Sequence, residues 1–279
     1  MLTLSATPIG NLKDTTWRAL ETLAGCDVCL CEDVRVGKRL FFLLKEQEWA
    51  TPLKNTAPKQ FLPFHSHNQD AFLRQTPPSF FTEQEVVFIS DAGMPCVSDP
   101  GAKLVAFAQE NGIAYEVLPG ASACVGAYSA SGFESAGFNF VGFLPPKTQE
   151  RRACLAKLKG QGGVFVLYES PRRLLDTLGD LSVLFSHSSL FAIKEVSKLH
   201  EQRFKGSVLK VATELKALQG SKTLLGEWVL VLDCQEEVEL SLSYTQISQM
   251  SLPPKIKAKL LAQLTNTAPK ALYAQILEG

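Results

Sequence analysis

The sequence predicts an α/β protein of two α/β domains and a small helical tail, with a mostly parallel sheet in the first domain and a mixed sheet in the second. Three observations carry this expectation. In residues 1–120, short apolar runs alternate with helix-periodic stretches, the pattern of right-handed crossovers between parallel strands. After Pro119-Gly120 the composition changes, and strand-like runs follow one another with fewer helices between them. The 279 residues also exceed one ordinary domain of about 100–200 residues. The expected divisions are 1–120, 121–235 and a linker with tail at 236–279.

The elements follow in order. Leu2–Ala6 reads as a strand closed by Pro8 and Gly10. Asp14 is the expected N-cap of a helix carrying Trp17, Leu20 and Leu23 at helical spacing, with Gly25 as its stop. Val28–Cys31 is a strand and Arg35–Lys45 a helix. The polar, Pro-bearing 46–63 reads as a surface insertion. Val86–Ser90 is a buried strand, Ala102–Gln109 a helix and Ala114–Leu118 a strand. The second half runs helix 122–131, strand 138–144, helix 149–159, strand 163–168, helix 172–180, strand 190–194, a strand near 200–204, helix 208–218 and strand 227–232. Asp233, Glu236, Glu237 and Glu239 form an acidic linker before a helical tail, 253–279, rich in lysine.

Composition narrows the function classes. A 46% hydrophobic and 20% charged chain is ordinary globular material, not disordered. Its 28 basic and 28 acidic side chains cancel, so binding of bare nucleic acid by charge alone is disfavoured. Residues 1–120 nevertheless hold 10 Lys and Arg against 14 Asp and Glu, and residues 121–279 hold 18 against 14. A polyanion would lean on the second half. Seven cysteines without a repeating spacing, and an opening with no basic leader, fit free thiols in a cytoplasmic protein. Cys26, Cys29 and Cys31 read as core residues rather than metal ligands, because no second pair follows at zinc spacing. Residues 117–146 carry Glu134 as their only charge, but are too rich in Gly, Ser and Pro for a membrane span.

In open parallel sheets, ligands sit beyond the carboxyl ends of strands. Three loops qualify: Thr7–Asn11, Glu32–Arg35 and Asp91–Gly101. None holds a dinucleotide fingerprint or a phosphate loop. In the third loop, Gly allows close backbone approach, Pro fixes the path and Asp accepts from hydroxyl or amine donors. Asp99 also reads as a cap for the helix that follows. Asp33 and Arg35 read either as a substrate-facing pair or as a salt bridge at a helix start. His67 is a candidate base, since histidine titrates near neutrality.

These loops, taken with Leu118-Pro119-Gly120, Gly142–Pro145, Tyr168–Pro171 and Lys198–Glu201, occur in the order found in the bacterial 16S rRNA cytidine 2′-O-methyltransferases of the tetrapyrrole-methylase superfamily. The chain resembles that family over residues 2–232, and less closely in the tail. The resemblance implies a class III methyltransferase fold, S-adenosylmethionine in the cleft between the two domains, no metal, and a homodimer acting on 16S rRNA of the small ribosomal subunit. It implies a cofactor set of Pro8, Asp91, Gly93, Pro95, Ser122, Tyr168, Leu199 and Gly226, with peptide groups around Gly93 and Ser122 binding the donor and Tyr168 and Leu199 flanking its adenine. Asp33, Arg35 and His67 are the catalytic candidates. Lys147, Arg151 and Arg152 are the RNA candidates, a solvated helix face being the other reading of that stretch. The chain departs from the family at Val34 and Met94, where hydroxyl residues are usual, and at Ala121, where Pro-Gly-Pro-Ser becomes Pro119-Gly120-Ala121-Ser122. Residues 46–63 look longer than the family norm. A tetrapyrrole C-methyltransferase and a non-catalytic ribosome-assembly factor are the alternative readings.

Overall fold

The computed structural model describes residues 1–234, 243–265 and 267–278. Two compact units are present, Met1–Glu236 and Glu237–Gly279. The first unit holds two five-stranded sheets. The first sheet contains β1 (Leu2–Ser5), β2 (Val28–Cys31), β3 (Gln60–Pro63), β4 (Val86–Ile89) and β5 (Tyr115–Leu118), in the order β3-β2-β4-β1-β5. Every pairing in it is parallel.

Side chains alternate across these strands, and each face builds its own core. Val28 and Leu30 of β2, with Val86 and Phe88 of β4, pack with Phe64, Phe81 and Leu104. Cys29, Cys31, Val87 and Ile89 point the other way and pack with Leu20, Leu23, Leu44 and Leu53. The clustered cysteines are therefore core side chains, and burial raises the thiol pKa of Cys26, Cys29 and Cys31. Helices α1 (Trp17–Gly25) and α2 (Val34–Glu46) cover that face.

Several boundaries differ from expectation. Thr16, not Asp14, caps α1 by accepting from the Ala19 amide. Asp14 ends a short 3-10 turn, and its carboxylate instead accepts a hydrogen bond from the Ser197 hydroxyl. Residues 46–63 are not merely a surface insertion: they end in edge strand β3 and bury Ala50 and Leu53 completely. Lys59 holds this segment by donating to the Ala24 and Cys26 carbonyls at 2.7 Å each. The short helices α3 (Gln69–Gln75) and α4 (Ser79–Glu83) had no sequence signal strong enough to place them. Helix α5 (Ala102–Glu110) is preceded by Gly101 at the cap position, so Asp99 is not its cap.

Helix α6 (Ala123–Ser131) leads from β5 to the second sheet, which contains β6 (Asn139–Phe143), β7 (Gly163–Glu169), β8 (Ser189–Lys194), β9 (Gln202–Ser207) and β10 (Trp228–Cys234). The order is β6-β7-β10-β8-β9, parallel at β6/β7 and antiparallel elsewhere, so the sheet is mixed. Phe165, Leu167, Leu190, Leu230 and Trp228 face α7 (Thr148–Gln161), α8 (Leu174–Leu184) and α9 (Val208–Ala217). Val166, Ile193 and Val231 face α6. Full burial of each such side chain contributes about 1.5–3 kcal/mol.

The second unit contains α10 (Tyr244–Gln249), α11 (Pro254–Leu264) and α12 (Pro269–Glu278). Ile247, Ala258, Leu261 and Leu272 form its small core. Ser243 and Gln246 make a capping box on α10. The expected acidic linker residues Glu236, Glu237 and Glu239 lie outside the described residues. Among the described residues, no helix is long and apolar enough to cross a membrane.

Candidate active site

The loops after β1 and β4 are joined by two backbone hydrogen bonds. The Thr7 amide donates to the Gly93 carbonyl at 2.9 Å, and the Gly93 amide donates to the Thr7 carbonyl at 3.1 Å. The buried Ser90 hydroxyl also donates to the Gly93 carbonyl, at 2.9 Å. Gly93 has φ +86, and a Cβ there would lie 3.2 Å from Ile9 Cγ2. Both peptide groups of Gly93 are thus committed to shaping the loop. The missing side chain leaves space beside Ile9.

Beyond Gly93 the chain doubles back. Cys96 and Ser98 adopt φ 69 and 68, a left-handed conformation uncommon outside glycine. The Cys96 amide donates to the Pro100 carbonyl at 3.2 Å. This path turns Ser98 and Asp99 inward onto a cavity of about 370 Å³. Ile9, Asp91, Gly93 and Met94 line it from the first sheet, and Ser122, Phe143, Tyr168 and Glu169 from α6 and the second sheet.

Four carboxylates gather beside this cavity. The Glu32 carboxylate accepts from the Asp91 amide and the Asp91 carboxylate from the Asp33 amide, both at 3.3 Å. Asp33 caps α2 by accepting from the Arg35 amide at 2.8 Å, and its carboxylate pairs with the Arg35 guanidinium at 2.6 Å. The side-chain hydrogen bond from Arg35 pulls the Asp33 carboxyl down to about 2. Burial pushes Glu32 and Asp91 upward. Asp99 is pushed up to about 7, first by burial and then by the charges of Glu32 and Asp91.

The opposite wall is aromatic and rigid. The Tyr168 hydroxyl accepts from the Cys124 amide at 3.1 Å, in the first turn of α6, and burial raises its pKa to about 12. Phe140 and Phe143 pack edge-on against its ring, with centroids 4.9 and 5.7 Å away. Glu169 is buried, accepting from the Ser170 amide at 2.8 Å and from the Thr177 hydroxyl at 2.6 Å. Glu227 pairs with Lys198 at 2.7 Å. Ser122 precedes α6 without using its side chain as a cap, which leaves the hydroxyl to the cavity.

The structure therefore gathers Asp91, Gly93, Ser122 and Tyr168 around one cavity. Pro8 and Pro95 shape the loops behind it without lining it. Gly226, at φ +121, packs against Glu195 and precedes the lining residue Glu227. Leu199 is 94% exposed and does not line the cavity, so an adenine-flanking role does not follow from its placement. Asp33 and Arg35 stand outside the lining, joined to it through Asp91. His67 is exposed on the loop after β3, its ring 6.0 Å from that of His65 and away from the lining.

Of the basic candidates, Lys147 is exposed and pairs with Glu150 at 3.0 Å. Arg152 is 61% exposed, whereas Arg151 is buried, and both donate to Asp180 at 2.6 Å. Arg151 is a core ion pair rather than a surface contact. In the tail unit, Lys255, Lys259, Lys270 and Tyr273 border a concavity of about 440 Å³. Asp99 is the site residue that sequence reading misplaced. The signal lay in the Gly101 that already fills the cap position. Among the described residues, no group of three or more His, Cys, Asp or Glu is arranged to hold a metal ion.

Two α/β layers meet at a cavity beyond the carboxyl ends of parallel strands, and the family match places this architecture among the tetrapyrrole methylases. The family described as Tetrapyrrole (Corrin/Porphyrin) Methylases matches residues 1–212. A solved uroporphyrin-III C-methyl transferase from Thermus thermophilus, complexed with S-adenyl homocysteine, shares the fold. Its TM-score is 0.53 at 18% identity, covering 83% of this chain and 96% of that one. Sequence relatives are nearer. A Helicobacter pylori protein (strain ATCC 700392 / 26695) named Ribosomal RNA small subunit methyltransferase I is 46% identical over 286 residues, covering 99% of this chain and 98% of that protein. A Campylobacter fetus protein of the same name is 37% identical, covering 99% and 100%. The chain belongs to the tetrapyrrole methylases and, within them, to the ribosomal RNA small subunit methyltransferase I family.

Proposed function

We propose that this chain uses S-adenosylmethionine to methylate the ribose 2′-oxygen of a cytidine in 16S rRNA, on the small ribosomal subunit, as a cytoplasmic homodimer. The observation that carries the reading is the Gly93-shaped cavity in a chain 46% identical, over nearly its whole length, to a protein named for small-subunit rRNA methylation. The likeness to a uroporphyrin enzyme, at 18% identity, supports the fold alone.

The residues present fit the methyl donor. A Cβ at Gly93 would intrude on the cradle, Ile9 and Phe143 offer apolar wall, and Asp91 and Asp99 supply negative charge suited to a cationic sulfonium. Asp91, Gly93, Ser122 and Tyr168 are the residues that would hold it. When bound, the donor supplies an electrophilic methyl carbon. The protein's part is to fix the acceptor oxygen behind that carbon, where positioning can contribute roughly 7–11 kcal/mol.

Asp33 and Arg35 sit where an incoming nucleotide would pass. The salt bridge makes Asp33 a permanent anion and a hydrogen-bond acceptor, and leaves Arg35 90% exposed to meet a phosphate. Lys147, Arg152 and the tail lysines provide further phosphate contacts, and Arg151 is withdrawn from that set.

The test is to map ribose 2′-O-methylation on small-subunit rRNA from cells with and without this protein. One cytidine loses its methyl group on deletion and regains it with the wild-type chain. An unchanged map overturns the reading, and methylation of a uroporphyrinogen by the purified protein would replace it with the tetrapyrrole alternative.

A further inference from the structure

We propose that Asp99 is the base that takes the ribose 2′ proton during methyl transfer, an assignment that rests on the rRNA 2′-O-methyltransferase reading above. Four carboxylate residues line the cavity, and the hydrogen bonds separate them. Glu169 is bound to Ser170 and Thr177, Glu227 to Lys198, and Asp91 to the Asp33 amide. Among the described residues, the Asp99 carboxylate is the one of the four with no hydrogen-bond or ion-pair partner. A half-buried carboxylate left unpaired in a cavity is poised for a ligand proton.

The backbone supports the same conclusion. The left-handed residues Cys96 and Ser98 bring Asp99 to the cavity, and strain of this kind persists only where the surrounding structure enforces it. The other proton acceptors are poorly suited. Tyr168 is held near 12 and spends its oxygen on Cys124, and His67 does not line the cavity.

The groups facing Asp99 set its titration. Glu32 stands at the end of β2 and Asp91 at the end of β4, both negative, while Cys96 and Tyr168 face it as neutral groups. Glu169 and Glu227 share the cavity, the latter neutralised by Lys198. Among the described residues no cation faces Asp99, and burial, followed by the charges of Glu32 and Asp91, lifts its carboxyl to about 7, a value suited to a general base near neutrality.

The step balances without a further reactant. The 2′-oxygen forms a bond to the methyl carbon as the carbon–sulfur pair returns to sulfur, leaving a neutral thioether. The 2′ proton passes to the Asp99 carboxylate and then to water.

The experiment compares single-turnover methyl transfer to small ribosomal subunits across pH with S-adenosylmethionine binding by calorimetry. In the wild type the rate rises with pH through the Asp99 titration and then levels, because the active form is the carboxylate. At saturating donor, Asp99→Asn is expected to lower the plateau by about 10²–10⁴-fold and abolish that limb, a loss beyond any weakening of donor binding from its missing charge. Glu32→Gln removes one negative neighbour and should move the limb to lower pH while Asp99 remains. It also covers the case in which Asp99→Asn fails to fold. An unshifted limb in Glu32→Gln, or an Asp99→Asn enzyme with wild-type rate and profile, overturns the assignment. So does an Asp99→Asn loss confined to donor affinity. A wild-type protein that binds the donor but methylates no rRNA fails the underlying function instead, and the assignment falls with it.

Discussion

Arg151 and Arg152 are adjacent in sequence and share Asp180, yet their substitution by Met should have very different consequences. Arg151 is 4% exposed and Asp180 3% exposed. Burial works to raise the Asp180 carboxyl, but hydrogen bonds from Arg152 and Arg151 outweigh it and hold the pKa below the usual value. Arg151→Met leaves one Asp180 oxygen buried without its donor. Breaking a buried pair from one side costs about 3–5 kcal/mol. At roughly 2–4 °C per kcal/mol for a unit of this size, the melting temperature should fall by about 6–20 °C. Arg152 is 61% exposed, and a pair with so exposed a partner is worth about 0–1 kcal/mol, or at most about 4 °C.

Scanning calorimetry of the two variants at neutral pH measures this contrast. Replacing both partners, Arg151→Met with Asp180→Leu, should recover much of the loss, since removing a whole buried pair is often neutral. The sign of the pH dependence is fixed as well. A carboxyl with a lowered folded-state pKa contributes its stability above the unfolded value, and loses it as pH falls through the folded value. The gap between wild type and Arg151→Met should therefore narrow in acid. Equal melting of the two single variants, or a double variant no better than Arg151→Met, would refute the reasoning.

Gly93→Val should reduce S-adenosylmethionine binding below calorimetric detection while circular dichroism stays native, because φ +86 and the 3.2 Å approach to Ile9 leave no room for a β-branched side chain at the cavity wall. Retained affinity would remove Gly93 from the cradle. Asp33→Asn and Arg35→Ala should lower methyl transfer by up to about 100-fold through misplacement of the acceptor, with donor affinity and melting temperature kept. Equal losses in donor binding would move both residues to the other side of the cleft. Small ribosomal subunits should be methylated efficiently and protein-free 16S rRNA poorly, since a net charge of zero gives little purchase on naked phosphates. Arg152→Glu should raise the apparent substrate constant in a salt series without touching donor affinity, and equal rates on both substrates would contradict the charge argument.

The elements legible in the sequence were those whose apolar pattern had a single explanation. Val28–Cys31 and Val86–Ile89 are buried on both faces of a parallel sheet, and such strands read as continuous apolar runs. The poorly legible elements take their order from tertiary contacts. Edge strand β3 alternates weakly because it is only half covered, and its neighbours Ala50 and Leu53 are single buried residues in a polar stretch. The tail at 253–279 looked like one helical run, although Pro269 opens a second helix in it, and α10 precedes it at Tyr244–Gln249. In the site, Gly93 and Asp91 were legible because a Gly- and Asp-rich loop after a buried strand has few other uses. Asp99 was not, because a capping aspartate and a cavity aspartate look alike until the helix start is known to within one residue. Arg151 was misread for a related reason: a basic cluster does not reveal which of its members faces a buried carboxylate on a neighbouring helix.

On the proposed reading, the distribution of charge lets an acidic cavity serve an anionic polymer. Glu227 is neutralised by Lys198 and Glu169 by Arg173, so Asp91 and Asp99 make the cavity a place where a cation is favoured and a phosphate is not. On the proposed reading, the sulfonium donor gains from that field and the neutral thioether product does not, which assists exchange after each turnover. On the same reading, the field would hold the RNA backbone outside the cavity, where the exposed Arg35 stands, and admit the uncharged ribose and base. The lysines that would attract the polymer do not line the cavity: Lys147 is exposed at the start of α7, and residues 243–279 hold four lysines against one acidic side chain, Glu278. A uniformly basic protein would bind RNA without regard to which nucleotide enters the cavity. On the proposed reading, an acidic cavity whose lining, among the described residues, holds no basic side chain favours entry of an uncharged ribose and base over a phosphate.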